Sequence, residues 1–265
     1  MVALQKLYNP ANGLMRVAGF MSGSGTNLRK IIEYERALIR EQAGSPYEVV
    51  VIFSDNPESN AGKIGSDFNI PVMVRDANEF YSKRGKPKKD LEVRAEFDRG
   101  TVEELRDFGI DAVAYAGYML VATPVLVDAF LGVNVHPGDL TVTGNGRRKY
   151  TGDHAVRNAI LAGEKTLRAT THLIEPEVDY GRVLMLSPQL KVMLPDNFDK
   201  NNDEQVKIVS KQHQERLKEA GDWKIFSRTL AYIAQGRYSS DEKGNLYFDK
   251  RAIPNGLVLN HGVMW

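Results

Sequence analysis

The chain of 265 residues contains no cysteine, which excludes disulfides, thiolate metal sites, iron–sulfur clusters and a thiol nucleophile. Its chemistry falls to oxygen and nitrogen groups, and the absence of disulfides predicts a protein of the reducing cytoplasm. Charge of one sign is lacking too: 35 Lys and Arg stand against 34 Asp and Glu, a formal net charge of +1. That balance offers no overall field for a polyanion, so neither nucleic acid nor a membrane surface is expected as a partner. Long apolar runs are also missing. The most apolar stretch, residues 112–127, is broken by Gly117 and Pro124, and it falls short of the ~20 residues that cross a bilayer. Lys6, Asn9, Pro10 and Asn12 interrupt the first residues where a signal peptide needs continuous apolar side chains. His154, His213 and His261 show no metal-ligand spacing, and no HExxH occurs, so no catalytic metal is expected.

What is present is an alternation of strand and helix signals. Residues 16–21 are an apolar run leading into Ser22-Gly23-Ser24-Gly25-Thr26-Asn27, after which Leu28, Ile31, Ile32 and Leu38 recur at helical spacing. Residues 47–54 form a β-branched run of the kind buried in parallel sheets. The pattern continues with a helix over 61–68, a strand over 70–74, a helix over 90–108 ended by Gly109, and strands over 110–116 and 132–136 around a short helix near Pro124. Residues 138–152, basic at Arg147, Arg148 and Lys149, read as a long loop. A helix over 153–162 with Asp153 as its cap, strands over 166–174 and 183–193, helices over 204–219 and 223–235, and a hairpin near 244–248 complete the chain. This order predicts an α/β fold: an open, mostly parallel twisted sheet with helices on both faces, Rossmann-like in plan. The predicted organisation is an extension (1–15), one domain (16–240) and a C-terminal hairpin and tail (241–265) packed on that domain.

In such a sheet ligands bind beyond the carboxyl ends of the strands, and three features fall there. The glycine-rich turn suits one phosphate at a helix N-terminus, or else simply makes a tight turn. It lacks the third glycine of the dinucleotide fingerprint, although Asp55 ends the second strand where a ribose-binding acid would sit. Asn134 and His136, two apart in a strand, present an amide and an imidazole on one side. They are either an oxyanion donor with a proton carrier, or groups that close the strand end. Asp179, in the loop 175–181, either orients His136 or bonds to its own turn. His172 reads as a core or supporting histidine.

Taken in order, six segments resemble the folate-dependent formyltransferase family, most closely its glycinamide ribonucleotide branch. They are Ser22-Gly-Ser-Gly-Thr-Asn-Leu28, Ala116-Gly-Tyr-Met119, Asn134-Val-His-Pro137, Lys149-Tyr-Thr-Gly152, Asp179-Tyr-Gly181 and a terminal helix with Gln212 and Glu215. The resemblance implies that Gly25, Thr26 and Asn27 bind the substrate 5′-phosphate and that Glu215 binds the ribose. It implies a folate pocket lined by Tyr118, Met119, Leu120, Val121, Glu175 and Val178. The implied catalytic residues are Asn134, His136 and Asp179. The co-substrate would be 10-formyltetrahydrofolate, the acceptor a small ribonucleotide amine in purine biosynthesis, and no metal would be needed. Asn134 and protonated His136 would stabilise the oxyanion formed when the amine attacks the formyl carbon, and Asp179 would hold His136 and a proton-shuttling water.

The chain departs from the family pattern at Gly138-Asp-Leu-Thr141, where Ser-Leu-Leu-Pro is usual, followed by an insertion through Arg148. It also departs at Leu120, where bacterial members carry arginine, and in an extension over 216–222. Three alternatives stay open: a formyltransferase acting on another amine, a formyltetrahydrofolate deformylase, and a non-catalytic nucleotide-binding protein. The deformylase reading expects a regulatory domain ahead of the first strand, where this sequence has about fifteen residues. A homodimer is left open.

Overall fold

The run MRVAGFM makes β1 (Met15–Met21), buried at every residue but Arg16, as a strand covered on both faces must be. The computed structural model describes residues 3–42 and 44–259. Residues 1, 2, 43 and 260–265, with His261 and the last part of the tail, lie outside the described residues. Seven more strands join β1 in one sheet: β2 (Tyr47–Ser54), β3 (Val72–Val74), β4 (Ala112–Tyr115), β5 (Leu131–His136), β6 (Thr170–Leu173), β7 (Val183–Leu186) and β8 (Leu257–Val258). The order is β8-β7-β6-β5-β4-β1-β2-β3. From β3 to β5 all neighbours are parallel, while β6 runs antiparallel to both β5 and β7.

Among the described residues eight helices cover the sheet: α1 (Thr26–Gln42), α2 (Ala61–Phe68), α3 (Ala77–Lys83), α4 (Leu91–Leu105), α5 (Pro124–Ala129), α6 (Ala155–Leu161), α7 (Asp203–Leu217) and α8 (Trp223–Ala234). Ile31 and Ile32 of α1, Ile64 of α2, Val156 of α6, Val209 of α7 and Leu230 of α8 belong to one core layer. Tyr81 of α3, Phe97 of α4 and Leu126 of α5 pack with Phe20, Phe53 and Tyr115 in the other. Two separate apolar layers are what a sheet sandwiched by helices requires.

Several local expectations are corrected. Helix α3 escaped the periodicity because it is only seven residues long; Asp76 caps it by accepting from the Glu79 N–H. His154, not Asp153, occupies the position before α6, and it makes no side-chain capping bond. The long loop contains a hairpin in which Thr143 pairs with Arg148 and Gly144 with Arg147. Its two central residues, Asn145 and Gly146, both have positive φ, 51° and 74°, the geometry an Asn-Gly turn favours. The strands expected over 166–174 and 183–193 are each interrupted, with Thr166–Leu167 and Leu190–Lys191 forming a separate pair.

At the other end of the chain, Gln5–Lys6, Tyr238–Ser240, Leu246–Phe248 and Arg251–Ala252 form a four-stranded antiparallel sheet. The chain then returns to the main sheet as β8, parallel to β7. Among the described residues no helix is long and apolar enough to cross a membrane. Strand order reverses between β1 and β4, so the turns after β1, β4 and β5 open a crevice at their carboxyl ends.

Candidate active site

Gly25 shapes the turn after β1. Its φ is +65°, and a Cβ there would meet the side chains of Met21 and Ile64 at under 3 Å, so only glycine lets α1 begin at Thr26. The carbonyls of Ser22, Gly23 and Ser24 accept from Asn56 Nδ2, the Asn60 N–H and Asn60 Nδ2. The first N–H groups of α1 are left for an anion.

This turn, the loop after β4, the end of β5 and the loop between β6 and β7 enclose a cavity of about 500 Å³. Gly25, Thr26, Asn27, Tyr118, Met119, Leu120, Val121, Asn134, His136, Glu175, Val178 and Asp179 all line it; Glu215 does not. Ser22 ties two walls together: its Oγ accepts from the Met119 N–H at 2.9 Å, and its N–H donates to the Gly117 carbonyl. Beneath the same loop lies Arg94, only 1% exposed and paired with Asp98. It donates from Nε to the Val121 carbonyl (2.8 Å) and from Nη2 to the Tyr118 hydroxyl (2.7 Å). Burial pushes the Tyr118 phenol well above its ordinary pKa, so it stays neutral. Met119, Val121 and Val178 leave apolar side chains exposed at the rim.

The antiparallel register of β5 against β6 sets Asn134 opposite His172 and His136 opposite Thr170. Asn134 Nδ2 donates to His172 Nε2 at 3.2 Å. The other ring nitrogen of His172, Nδ1, lies 2.8 Å from the Leu173 carbonyl, which can only accept, so Nδ1 carries the proton. By the same reasoning His136 Nε2, 2.6 Å from the Tyr150 carbonyl, is protonated. Its Nδ1 faces Asp179 Oδ2 at 3.4 Å, while Asp179 Oδ1 is 3.5 Å from His172 Nε2. The Gly152 N–H donates to Asp179 Oδ2 at 2.7 Å. One carboxylate thus sits between two imidazoles, and His172, read from the sequence as a core or supporting histidine, is buried in contact with both Asn134 and Asp179. The available signal was its position on the strand that feeds the Asp179 loop.

Burial alone would raise the Asp179 carboxyl, but its contact with His172, the neighbouring His136 and the Gly152 N–H hold it at about 2. Burial lowers the His136 imidazole below its ordinary 6.5, and Asp179 opposes this without reversing it. At neutral pH His136 therefore rests uncharged. The protonated His136 expected from the sequence is thus not the resting form.

Glu215 lies on the exposed side of α7, 2.8 Å from Lys218. The cavity wall there is made by Gln214, Lys218 and Asp222. The apparent extension after Arg216 is a π-helical turn, Lys218–Asp222, running directly into α8; such turns redirect side chains and recur at functional sites. It brings Asp222 3.5 Å from Asn27 Nδ2. Asn27 Oδ1 and Asp222 Oδ1 are buried without a hydrogen-bond partner, two acceptors facing the same corner. Burial raises the Asp222 carboxyl to about 7, against the lowering influence of Asn27 and Lys218. Asp55 is buried but stays out of the cavity wall, which removes the main support for a dinucleotide site.

A mostly parallel sheet whose strand ends gather an amide, an imidazole and a carboxylate beside a glycine-rich turn at a helix N-terminus defines a class. The profile of the formyl transferase family matches residues 15–214, and the chain belongs to that family. Among its relatives is the phosphoribosylglycinamide formyltransferase of Haemophilus influenzae, 25% identical over 250 residues, covering 93% of this chain and 100% of that protein. The Escherichia coli phosphoribosylglycinamide formyltransferase is 24% identical over 93% of this chain and its own full length. The fold is shared with the phosphoribosylglycinamide formyltransferase structure from Coxiella burnetii (TM-score 0.68, 19% identity, 93% of this chain and 100% of that one). It is also shared with glycinamide ribonucleotide transformylase 1 from Symbiobacterium toebii (TM-score 0.66, 23% identity, 89% and 94%).

Proposed function

We propose that this protein transfers the formyl group of 10-formyltetrahydrofolate to the amine of glycinamide ribonucleotide. The observation that carries the reading is the convergence of Asn134, His136 and Asp179 between an anion-binding turn and an apolar-rimmed pocket. Two relatives that match over nearly the whole chain bear that enzyme's name. The α1 N-terminus with Gly25, Thr26 and Asn27 receives the 5′-phosphate. Asp222, rather than Glu215, accepts from the ribose hydroxyls, because it and Asn27 hold the unpartnered acceptors of that corner. Met119, Val121 and Val178 offer apolar surface, and the backbone of the Tyr118–Val121 loop offers polar groups, which together fit the flat heterocycle of a folate. The folate supplies the formyl group.

The second N–H of Asn134 and the Nε2–H of His136, exchanging the Tyr150 carbonyl for a ligand oxygen, donate to the oxygen that gains negative charge. His136 Nδ1 and Asp179 receive the proton released by the attacking amine, and it returns to the departing nitrogen through water. Neutral His136 suits this role, because it has a lone pair to offer and a carboxylate ready to stabilise the resulting imidazolium.

Incubation with 10-formyltetrahydrofolate, with and without glycinamide ribonucleotide, tests the reading by release of tetrahydrofolate. Amine-dependent release is expected. Equal release in water alone would indicate a hydrolase, and no release in either arm would overturn the assignment.

Asp222 gives a second test. Removing a carboxylate that accepts from hydroxyls costs about 1.5 to 3 kcal/mol, so Asp222→Ala should raise the KM for the ribonucleotide by about tenfold or more, with a smaller change in kcat. Since the carboxyl is held near 7 and binding favours its ionised form, wild-type KM should rise as pH falls from 8 to 6. Steady-state titration of the ribonucleotide across that range checks this, and a flat KM would remove Asp222 from the ribose corner. In the ligand-free protein the raised carboxyl favours folding below the ordinary carboxylate range and loses that contribution as pH rises toward 7. Asp222→Asn should remove this component from the pH dependence of Tm.

A further inference from the structure

The basic hairpin that departs from the family pattern has no role in the proposed chemistry, yet its contacts converge on the loop that carries Asp179. Arg148 Nη1 donates to the Asp179 carbonyl at 2.5 Å and to the Gly181 carbonyl at 3.0 Å. Arg147 donates to the Tyr180 hydroxyl at 3.2 Å and pairs with Glu177 at 2.7 Å. Both guanidinium groups also lie 5.5 Å from the centre of the Tyr180 ring. Two adjacent arginines therefore hold four of the five residues 177–181.

The loop needs such a hold. Asp179 takes a φ of +59°, in the left-handed region, a conformation that costs a non-glycine residue roughly 1 to 2 kcal/mol and persists only when its surroundings enforce it. In this conformation the Asp179 carbonyl points to Arg148 while its carboxylate reaches back to the Gly152 N–H and the two histidines. Both bonds leave the one nitrogen Nη1, which the planar guanidinium holds at a fixed reach and orientation, whereas a lysine ammonium is a compact, strongly hydrated charge on a flexible stem. Arg147 is exposed, and its pair with Glu177 is a surface contact of small worth. Arg148 is half-buried and bonds to backbone, so it bears the geometry.

We propose that Arg148 is a positioning residue for formyl transfer: by fixing the Asp179 and Gly181 carbonyls, it aims the Asp179 carboxylate between His136 and His172. The inference rests on the function proposed above, but its geometric part does not. His136 faces Asp179, His172 and Arg148, so losing Arg148 removes a nearby cation and frees the carboxylate to drift.

The test uses the full chain with Arg148→Ala, Arg148→Lys and Arg147→Ala, each read by formyl-transfer kinetics and by NMR titration of the His136 and His172 imidazoles. A misplacement of about 1 Å at a catalytic group costs about a hundredfold, so Arg148→Ala should lose about that much kcat with KM values little changed and a displaced His136 titration. Arg148→Lys, which keeps the charge but not the planar group that sets Nη1, should fall between wild type and alanine, about tenfold down. Arg147→Ala should stay near wild type. Should Arg148→Ala fail to fold, the lysine variant alone decides, by the same kcat loss and histidine displacement. Unaltered histidine titration and kcat in the lysine or alanine variant would overturn the proposal. A loss of kcat with both histidines titrating as in wild type would overturn it as well. If the wild type shows no formyl transfer, the proposed function fails, while the histidine titrations still report whether Arg148 places Asp179.

Discussion

His136→Ala is expected to lower turnover at least about a hundredfold while leaving the KM values within a fewfold of wild type, and Asn134→Ala should do the same. Both residues sit at the carboxyl end of β5 and line the cavity apart from the glycine-rich turn and the apolar rim. Their loss therefore removes stabilisation of developing charge and leaves most ground-state binding intact. The two effects should differ in one respect. His136→Ala also takes away the group that receives a proton beside Asp179, so its residual rate should lose the acid-side pH dependence, below the ordinary imidazole range, that the buried imidazole imposes on wild type. Asn134→Ala should keep that dependence, because His136 and Asp179 remain. Steady-state kinetics at saturating formyl donor between pH 5 and 9 checks both. Near-normal turnover in either variant would reject the assignment of that residue.

The second large effect is expected at Gly181. A Cβ there would lie 1.7 Å from the Leu173 carbonyl oxygen, a backbone atom of β6. No side-chain adjustment relieves such a contact, so the loop itself must move in Gly181→Ala. Asp179 is only two residues away and has 3.4 and 3.5 Å contacts to maintain with the histidines. Turnover should fall by about a hundredfold or more through misplacement of the carboxylate, and stability should drop by about 1 to 3 kcal/mol from overpacking. Kinetics and thermal unfolding on the same preparation separate the two losses. Turnover close to wild type would show that the loop has slack and that the position of Asp179 is not critical.

The central sheet was largely legible in the residues. The β-branched run at Tyr47–Ser54 and the helix at Ala61–Phe68 stand where the pattern puts them, because a strand buried on both faces and a short helix closed between Asn60 and a left-handed Asn69 carry their own signals. That Asn134 and His136 share one side of their strand was legible from alternation, and both line the cavity; their catalytic reading rested on the resemblance. His172 could not be found that way: its contact with Asn134 depends on β6 running antiparallel in a particular register, which no local window contains. Asp222 was missed for a different reason. The helical period over α7 continues smoothly toward Glu215, whereas the π-turn after Leu217 adds a step that moves the cavity-facing carboxylate seven residues along. The Asn145-Gly146 turn was present in the sequence, but its flanks are too short and polar to announce a hairpin.

The short strand β8 has a bearing on how this chain can be divided. The family match stops at residue 214, yet Asp222, α8 and β8 all follow it. A fragment trimmed to the matched segment would strip α8 from one face of the sheet and leave β7 with a bare row of backbone donors and acceptors where β8 now docks. Open strand edges beside exposed apolar surface recruit further copies, so that fragment should precipitate or form fibres rather than behave as a minimal enzyme.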